Sequence, residues 1–257
     1  FVAKIACKEA AIDPRDLFAT LPDLGATAGS FRYFAPAQLD FAYPKGSQPE
    51  VAFLGRSNVG KSSLMNAVMR QKLAVTSKQP GRTQQPYYYG WMPNNTGKAD
   101  VRPSDATAFM VDLPGYGFAV GPDKAVRSWQ ASTQKFLLQR HNVDGTLRRV
   151  FLLQDSRLGA PQAIDETVAS WMDEHGIPYT IVLTKADDPL KSIKHANICC
   201  LRYQLQCFES EQDDILISPT VHITSSKNGT GIVELLSSIA TEFESSPKTD
   251  EWVEDEL

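Results

Sequence analysis

The stretch GRSNVGKS at residues 55–62 follows the short apolar run at residues 51–54, VAFL, and opens onto residues 61–70, KSSLMNAVMR, whose apolar residues recur at helical spacing. Strand, glycine-containing loop and helix in that order begin an α/β fold. The spacing G-x-x-x-x-G-K-[ST] also has a chemistry of its own. Its glycines let backbone N–H groups curl around phosphate oxygens, Lys61 reaches the β and γ phosphates of a nucleotide, and the Ser62 hydroxyl is placed for Mg²⁺. Gly55, Arg56, Ser57, Asn58, Val59, Gly60, Lys61, Ser62 and Ser63 therefore read as one phosphate cradle.

The alternation continues outward from this loop. Residues 87–91, 108–111, 149–153, 179–183 and 221–224 read as further strands, and residues 124–139, 162–175, 191–209 and 232–243 as helices. Six strands alternating with helices predict an α/β domain over residues 49–243, with a mostly parallel six-stranded sheet covered by helices on both faces. Residues 1–48 scatter four prolines among polar and aromatic residues with no sustained period, and read as an irregular amino-terminal arm with one short helix. Residues 93–107, PNNTGKADVRPSDAT, read as a protruding insertion between two strands, and residues 244–257 as an acidic carboxyl-terminal tail.

Four more motifs stand at or between the expected strand ends. Asp112, Leu113, Pro114 and Gly115 form D-x-x-G, in which the carboxylate holds Mg²⁺ through water and the glycine N–H meets a γ phosphate. In Thr184, Lys185, Ala186 and Asp187, the Asp187 carboxylate can accept from both N1 and N2 of guanine, a donor pair that adenine lacks, while the Lys185 stem covers the base. Thr224, Ser225, Ser226 and Lys227 end the last strand, where backbone N–H groups can meet the guanine O6. Gly81, Arg82, Thr83, Gln84 and Gln85 lie between the first helix and the second strand, with the Thr83 hydroxyl as an Mg²⁺ ligand formed only when GTP is bound. Together they predict a guanine-nucleotide site. Lys61, Thr83 and Gly115 are its expected catalytic groups, with Ser62, Thr83 and Asp112 around the metal.

Two residues carry open questions. Tyr116 follows D-x-x-G where several GTPases place a glutamine that orients the attacking water. The side-chain oxygen of Asn58 can ligate a monovalent cation beside the phosphates, or it can stabilise the turn through an Asx-type hydrogen bond; spacing leaves both readings standing.

Composition narrows the partners. A net charge of −4 argues against a globally basic nucleic-acid binder, and no apolar run approaches the roughly 18 to 20 residues that span a bilayer, so neither DNA nor a membrane is expected. Four cysteines without C-x-x-C spacing point to free thiols rather than zinc or disulfides. A chain opening on Phe1 is expected to have been processed or truncated upstream.

The segments GRSNVGKSSLMNAV, PGRTQ, DLPGYGFA, DSRLGAPQAIDETVASWMDEHGIPYTIVLTKAD and SSKNGTGI together resemble the EngB family of GTPases. The resemblance implies a P-loop NTPase with a Ras-like G domain, GTP or GDP as ligand and Mg²⁺ as cofactor, with slow intrinsic hydrolysis. It also implies action as an assembly factor on a late precursor of the large ribosomal subunit, in contact with rRNA, ribosomal proteins and other assembly factors. It favours K⁺ at Asn58 and makes Tyr116 a family feature. The long arm, the insertion and the acidic tail look like those of an organellar homologue, so a mitochondrial matrix location is expected, with the bacterial cytoplasm and the plastid as alternatives. Competing readings are a non-catalytic GTP-bound placeholder on the pre-ribosome and a GTPase of tRNA modification or membrane remodelling.

Overall fold

The computed structural model describes residues 5–6, 29–35, 44, 46–74, 85–92, 101–116, 132–209 and 216–244. In chain order these form β1 (Ile5–Ala6), β2 (Ser30–Phe34), β3 (Glu50–Gly55), α1 (Lys61–Met69), β4 (Tyr87–Met92), β5 (Ala108–Asp112), α2 (Ser132–Leu138), β6 (Leu147–Asp155), α3 (Ala163–Glu174), β7 (Tyr179–Thr184), α4 (Pro189–Glu209), β8 (Val221–Ile223) and α5 (Ile232–Glu244). One sheet contains all the strands in the order β1-β8-β7-β6-β3-β5-β4-β2.

β3 is buried along its whole length and runs parallel to β5 on one side and β6 on the other. Its side chains alternate between two cores. Ala52 and Leu54 join Phe136 of α2, Met172 of α3 and Cys199 of α4, while Val51 and Phe53 join Met65 of α1 and Leu236 of α5. The expected mostly parallel sheet with helices on both faces is therefore present. After β3 the chain runs through α1 into β4 and β5 on one side and then crosses to β6 on the other, which creates a crevice at the carboxyl ends of the strands where α/β folds bind ligands.

Among the described residues the sheet has eight strands rather than the expected six, and the reading of residues 1–48 as an irregular arm fails for residues 30–34. β2 pairs antiparallel with β4, setting the Phe31 ring tilted against Trp91 with centroids 5.0 Å apart and Tyr33 against Tyr89 at 5.7 Å. These cross-strand aromatic contacts stabilise a five-residue edge strand that local propensity alone would not. Gly90 makes room for it, since a Cβ there would stand 2.6 Å from the Phe34 ring and 2.7 Å from the Ala106 Cβ. β1 adds two residues parallel to β8. The rest of the arm, apart from residues 29–35, 44 and 46–48, lies outside the described residues, as do residues 245–257 of the tail.

Of the insertion, residues 93–100 are outside the description, but its return leg is anchored. A short 3₁₀ turn at Pro103–Asp105 is closed by Arg102 N donating to Asp105 Oδ2 at 2.9 Å, Ala106 is buried, and Thr107 N donates to Trp91 O at 3.0 Å. Of the helix expected at residues 124–139, Ser132–Leu138 is described, followed by a π-type turn over Gln139–Val143. That turn sends Arg140 into the interior, where Nε donates to Glu50 Oε2 at 3.0 Å, a second guanidinium nitrogen bonds the other carboxylate oxygen, and Nη1 meets Asp144 Oδ2 at 2.7 Å. This buried fork fixes the start of β3, at the end of the sheet away from the phosphate loop.

No helix among the described residues is long and apolar enough to cross a membrane. The solvent side of α4 nonetheless exposes Leu190, Ile193, Ile198, Leu201 and Leu205 among Lys191, Lys194, Asn197 and Gln204.

Candidate nucleotide site

The phosphate loop leaves β3 at Gly55 and turns through two left-handed residues, Asn58 at φ 64° and Gly60 at φ 108°. Asparagine enters this region more readily than most side chains, which gives Asn58 a backbone reason for its identity beside any ligand role. Gly60 caps α1 without a side-chain hydrogen bond, and no acidic residue stands in the first turn of the helix. The amino-terminal N–H groups and the positive end of the helix dipole are thus left for an anion.

Lys61 begins α1 and is buried, its ammonium bonded to the Asp112 carboxylate at the end of β5. Burial pushes the Lys61 amine down to about 7. One residue pair thus joins the group expected on the phosphates to the group expected on the metal. Gly115 passes close to the loop: a Cβ there would stand 3.2 Å from Gly55 O, 3.2 Å from Ser57 N and 3.3 Å from Ser57 Oγ. No other residue type fits between the turn and the loop without moving one of them.

Tyr116 clamps that approach. Its N donates to Gly55 O at 3.2 Å and its O accepts from Ser57 N at 2.9 Å. The ring turns away from the loop into the core, 1% exposed, and the hydroxyl donates to Asp165 Oδ1 of α3 at 2.7 Å. Burial and the neighbouring carboxylate hold the phenol well above its ordinary pKa. At the position of the water-orienting glutamine the chain thus has a side chain that faces the interior.

The base end is built from β6, β7 and β8. Thr184 Oγ1 donates to Val59 O at 2.6 Å and to Gln154 O at 3.2 Å, tying the loop to two strand ends. Lys185, at φ 56°, lays its stem near Gly60; its ammonium bonds Asn58 O and reaches Asp155 Oδ2 at 2.9 Å. Burial raises the Asp155 pKa, but the hydrogen bonds of Arg157 and Lys185 outweigh it and bring the carboxyl to about 2. Asp187 is exposed, its Oδ1 accepting from the buried Ser225 hydroxyl at 2.7 Å, and Ala186 N donates to Thr224 O at 3.1 Å. Ser226 and Lys227 lie exposed in the turn that follows, where Lys227 N donates to Ser225 Oγ at 3.3 Å.

Residues 55–63, 112–115, 184–187 and 224–227 thus all lie at the carboxyl ends of neighbouring strands or in the loops that leave them. Gln85 is exposed just before β4, whereas Gly81, Arg82, Thr83 and Gln84 lie outside the described residues. Arg148 and Arg149 sit at the opposite end of β6, where Arg149 is bonded to Glu242 of α5. Sequence reasoning gave Asp155 and Asp165 no role. Asp155 could have been found by the same strand-end rule that found Asp112, whereas Asp165 follows a loop and turns inward only through tertiary packing.

The phosphate-loop spacing at residues 55–62, the D-x-x-G turn at residues 112–115 and the T-K-x-D tetrapeptide at residues 184–187, all at strand ends of this sheet, mark the class of P-loop GTP-binding domains. The profile of a family described as "50S ribosome-binding GTPase" matches residues 50–185. Among curated proteins, "Probable GTP-binding protein EngB" of Nitrobacter winogradskyi is 39% identical over 214 residues, covering 83% of this chain and 88% of its own. The protein of that name from Anaplasma phagocytophilum is 38% identical over 210 residues, covering 81% and 96%. The chain belongs to the EngB family of GTP-binding proteins. Among solved structures, Toc33 from Arabidopsis thaliana in complex with Mg²⁺ and GMPPNP shares the fold at a TM-score of 0.53 and 16% identity, over 82% of this chain and 90% of that one. Aquifex aeolicus Era bound to GDP and AlF₄⁻ does so at 0.51 and 19%, over 77% and 57%.

Proposed function

We propose that this protein binds GTP and GDP at the carboxyl ends of β3, β5, β7 and β8 and hydrolyses GTP slowly while assisting assembly of the large ribosomal subunit. The observation that carries the nucleotide reading is the strand-end cluster in which the Ser225 hydroxyl bonds the Asp187 carboxylate while Lys185 bridges to the phosphate loop. Residues 55–63 hold the phosphates, with Lys61 on the β and γ groups, and Thr184, Lys185, Ala186, Asp187 and residues 224–227 hold the guanine. Residues 81–85 and 112–115 respond to the γ phosphate, Thr83 and Gly115 acting in catalysis.

Among the described residues no three His, Cys, Asp or Glu side chains gather to hold a metal. That fits Mg²⁺, which prefers one or two protein oxygens with phosphates and water to an all-protein cage. Ser62, Thr83 and Asp112 are its ligands in this reading, the last through water. Once bound, the ion neutralises charge on the β and γ oxygens. Asn58 is assigned to K⁺; equal hydrolysis rates in K⁺ and Na⁺ would remove that role.

The family description supports a ribosomal partner. We place the action on a late precursor particle with its rRNA, proteins and other factors, in the mitochondrial matrix, with residues 49–243 as the G domain proper. The decisive measurement is single-turnover release of phosphate from GTP on isolated large-subunit precursors. Release above the intrinsic rate is expected. Its absence despite tight GTP binding would favour the placeholder reading, which draws support from the inward-facing Tyr116.

A further inference from the structure

A phenylalanine at position 116 would fill the same space in the apolar core that surrounds the ring. The hydroxyl adds a polar group that must be desolvated, and that cost is offset only by a partner. The partner is Asp165, itself 2% exposed. Asp165 is held from the other side, its Oδ2 accepting from Gln162 N at 2.9 Å in the first turn of α3. One carboxylate therefore joins the start of a helix to the residue whose backbone grips Gly55 and Ser57. Arg56 stands close enough for its charge to act on both Tyr116 and Asp165, and its Nε is buried without a partner among the described residues.

We propose that Asp165 is a positioning residue for the response to GTP: through the Tyr116 hydroxyl it sets how closely Gly115 approaches the phosphate loop. The proposal rests on the reading of this site as a GTP site. Gly115 lies one residue before Tyr116, so the anchor fixes the N–H expected at the γ phosphate, while GDP has no group at that place. A turn released from α3 must be ordered anew each time GTP binds, and that cost falls on GTP alone.

The two ends of the bond are separable by mutation. Tyr116→Phe removes the bond to the turn and leaves the Asp165 cap on α3 in place. Asp165→Asn keeps an oxygen for the phenol but presents an N–H group toward Gln162 N, weakening the helix start. Full-length wild type and both variants are titrated with GDP and a non-hydrolysable GTP analogue, with thermal melts in parallel. For Tyr116→Phe the expected result is about tenfold weaker binding of the GTP analogue, some 1.4 kcal/mol, with GDP affinity changed less than about twofold. For Asp165→Asn the expected result is a lower melting temperature with the GTP-to-GDP ratio of the wild type. An unchanged ratio in Tyr116→Phe, or equal weakening of both nucleotides, overturns the proposal. Should Tyr116→Phe not fold, Asp165→Ala compared with Asp165→Asn gives the same decision, since only the alanine loses the oxygen that accepts from the phenol. A wild type that binds neither nucleotide overturns the GTP reading itself.

Discussion

The two ends of the nucleotide site are built on opposite plans. At the base end the groups are held by partners that leave their recognition faces open: Ser225 orients Asp187, and Lys185 lies between Asn58 and Asp155. At the phosphate end Lys61 and Asp112 satisfy each other. In the function proposed above, a base therefore meets groups already in place, whereas a triphosphate must draw an ammonium from a carboxylate before either takes up its role. On the proposed reading, affinity for guanine is preorganised and the response to phosphate is not, which suits a protein whose state is to be set by the phosphate it holds.

The strongest way to break this contrast is Lys61→Ala. It removes the cation from the phosphates and leaves Asp112 buried without its partner, so we expect GTP and GDP affinity to fall by roughly a hundredfold or more, with about 3 kcal/mol lost in stability. Fluorescent-nucleotide titration and denaturant melts measure the two effects. Near-normal binding of both nucleotides would show that the phosphate end does not depend on the pair.

Asp187→Asn attacks the other end. An amide cannot accept from both N1 and N2 of guanine, so GTP and GDP should weaken together by about 10- to 100-fold, while a xanthine nucleotide, which offers a carbonyl in place of the amine, gains. Competition binding with the triphosphates of both bases reads the switch. Ser225→Ala tests preorganisation alone. Loss of one hydrogen bond to a carboxylate that remains present should cost about 1 kcal/mol, roughly fivefold, equally for GTP and GDP.

The smallest expected effect is acid-dependent. Asp155 titrates at about 2 rather than 3.8, so its contribution to stability is complete above about pH 4 and is lost as pH falls toward 2. Asp155→Asn should flatten that part of the stability curve, as followed by circular dichroism. If the slope is the same in wild type and variant, the Lys185 anchor does not stabilise the folded state.

Much of the domain was readable because its signals are local. The run before Gly55, the spacing to Lys61 and the carboxylates at strand ends each depend on neighbours in sequence, and the described parts of the strands and helices fall within a few residues of expectation. What escaped notice depends on distant neighbours. Residues 30–34 become a strand because Trp91 and Tyr89 receive Phe31 and Tyr33, and nothing in SFRYF alone announces that. Asp165 was invisible for the same reason: it lies 49 positions from the phenol it accepts from. The inward turn of Tyr116 likewise follows from an apolar core assembled from elements far apart in the chain.

The strand at residues 30–34 does more than widen the sheet. Without it, β4 would stand at the margin with a row of unpaired backbone groups flanked by Tyr87, Tyr89 and Trp91, a template on which another chain could add a strand. β2 occupies that row, and among the described residues it forms the new margin, a short segment carrying the exposed Arg32, whose charge discourages further pairing. A segment that contributes none of the nucleotide-site residues thus acts as the guard of the sheet's edge, keeping its aromatic strand from recruiting a copy of itself.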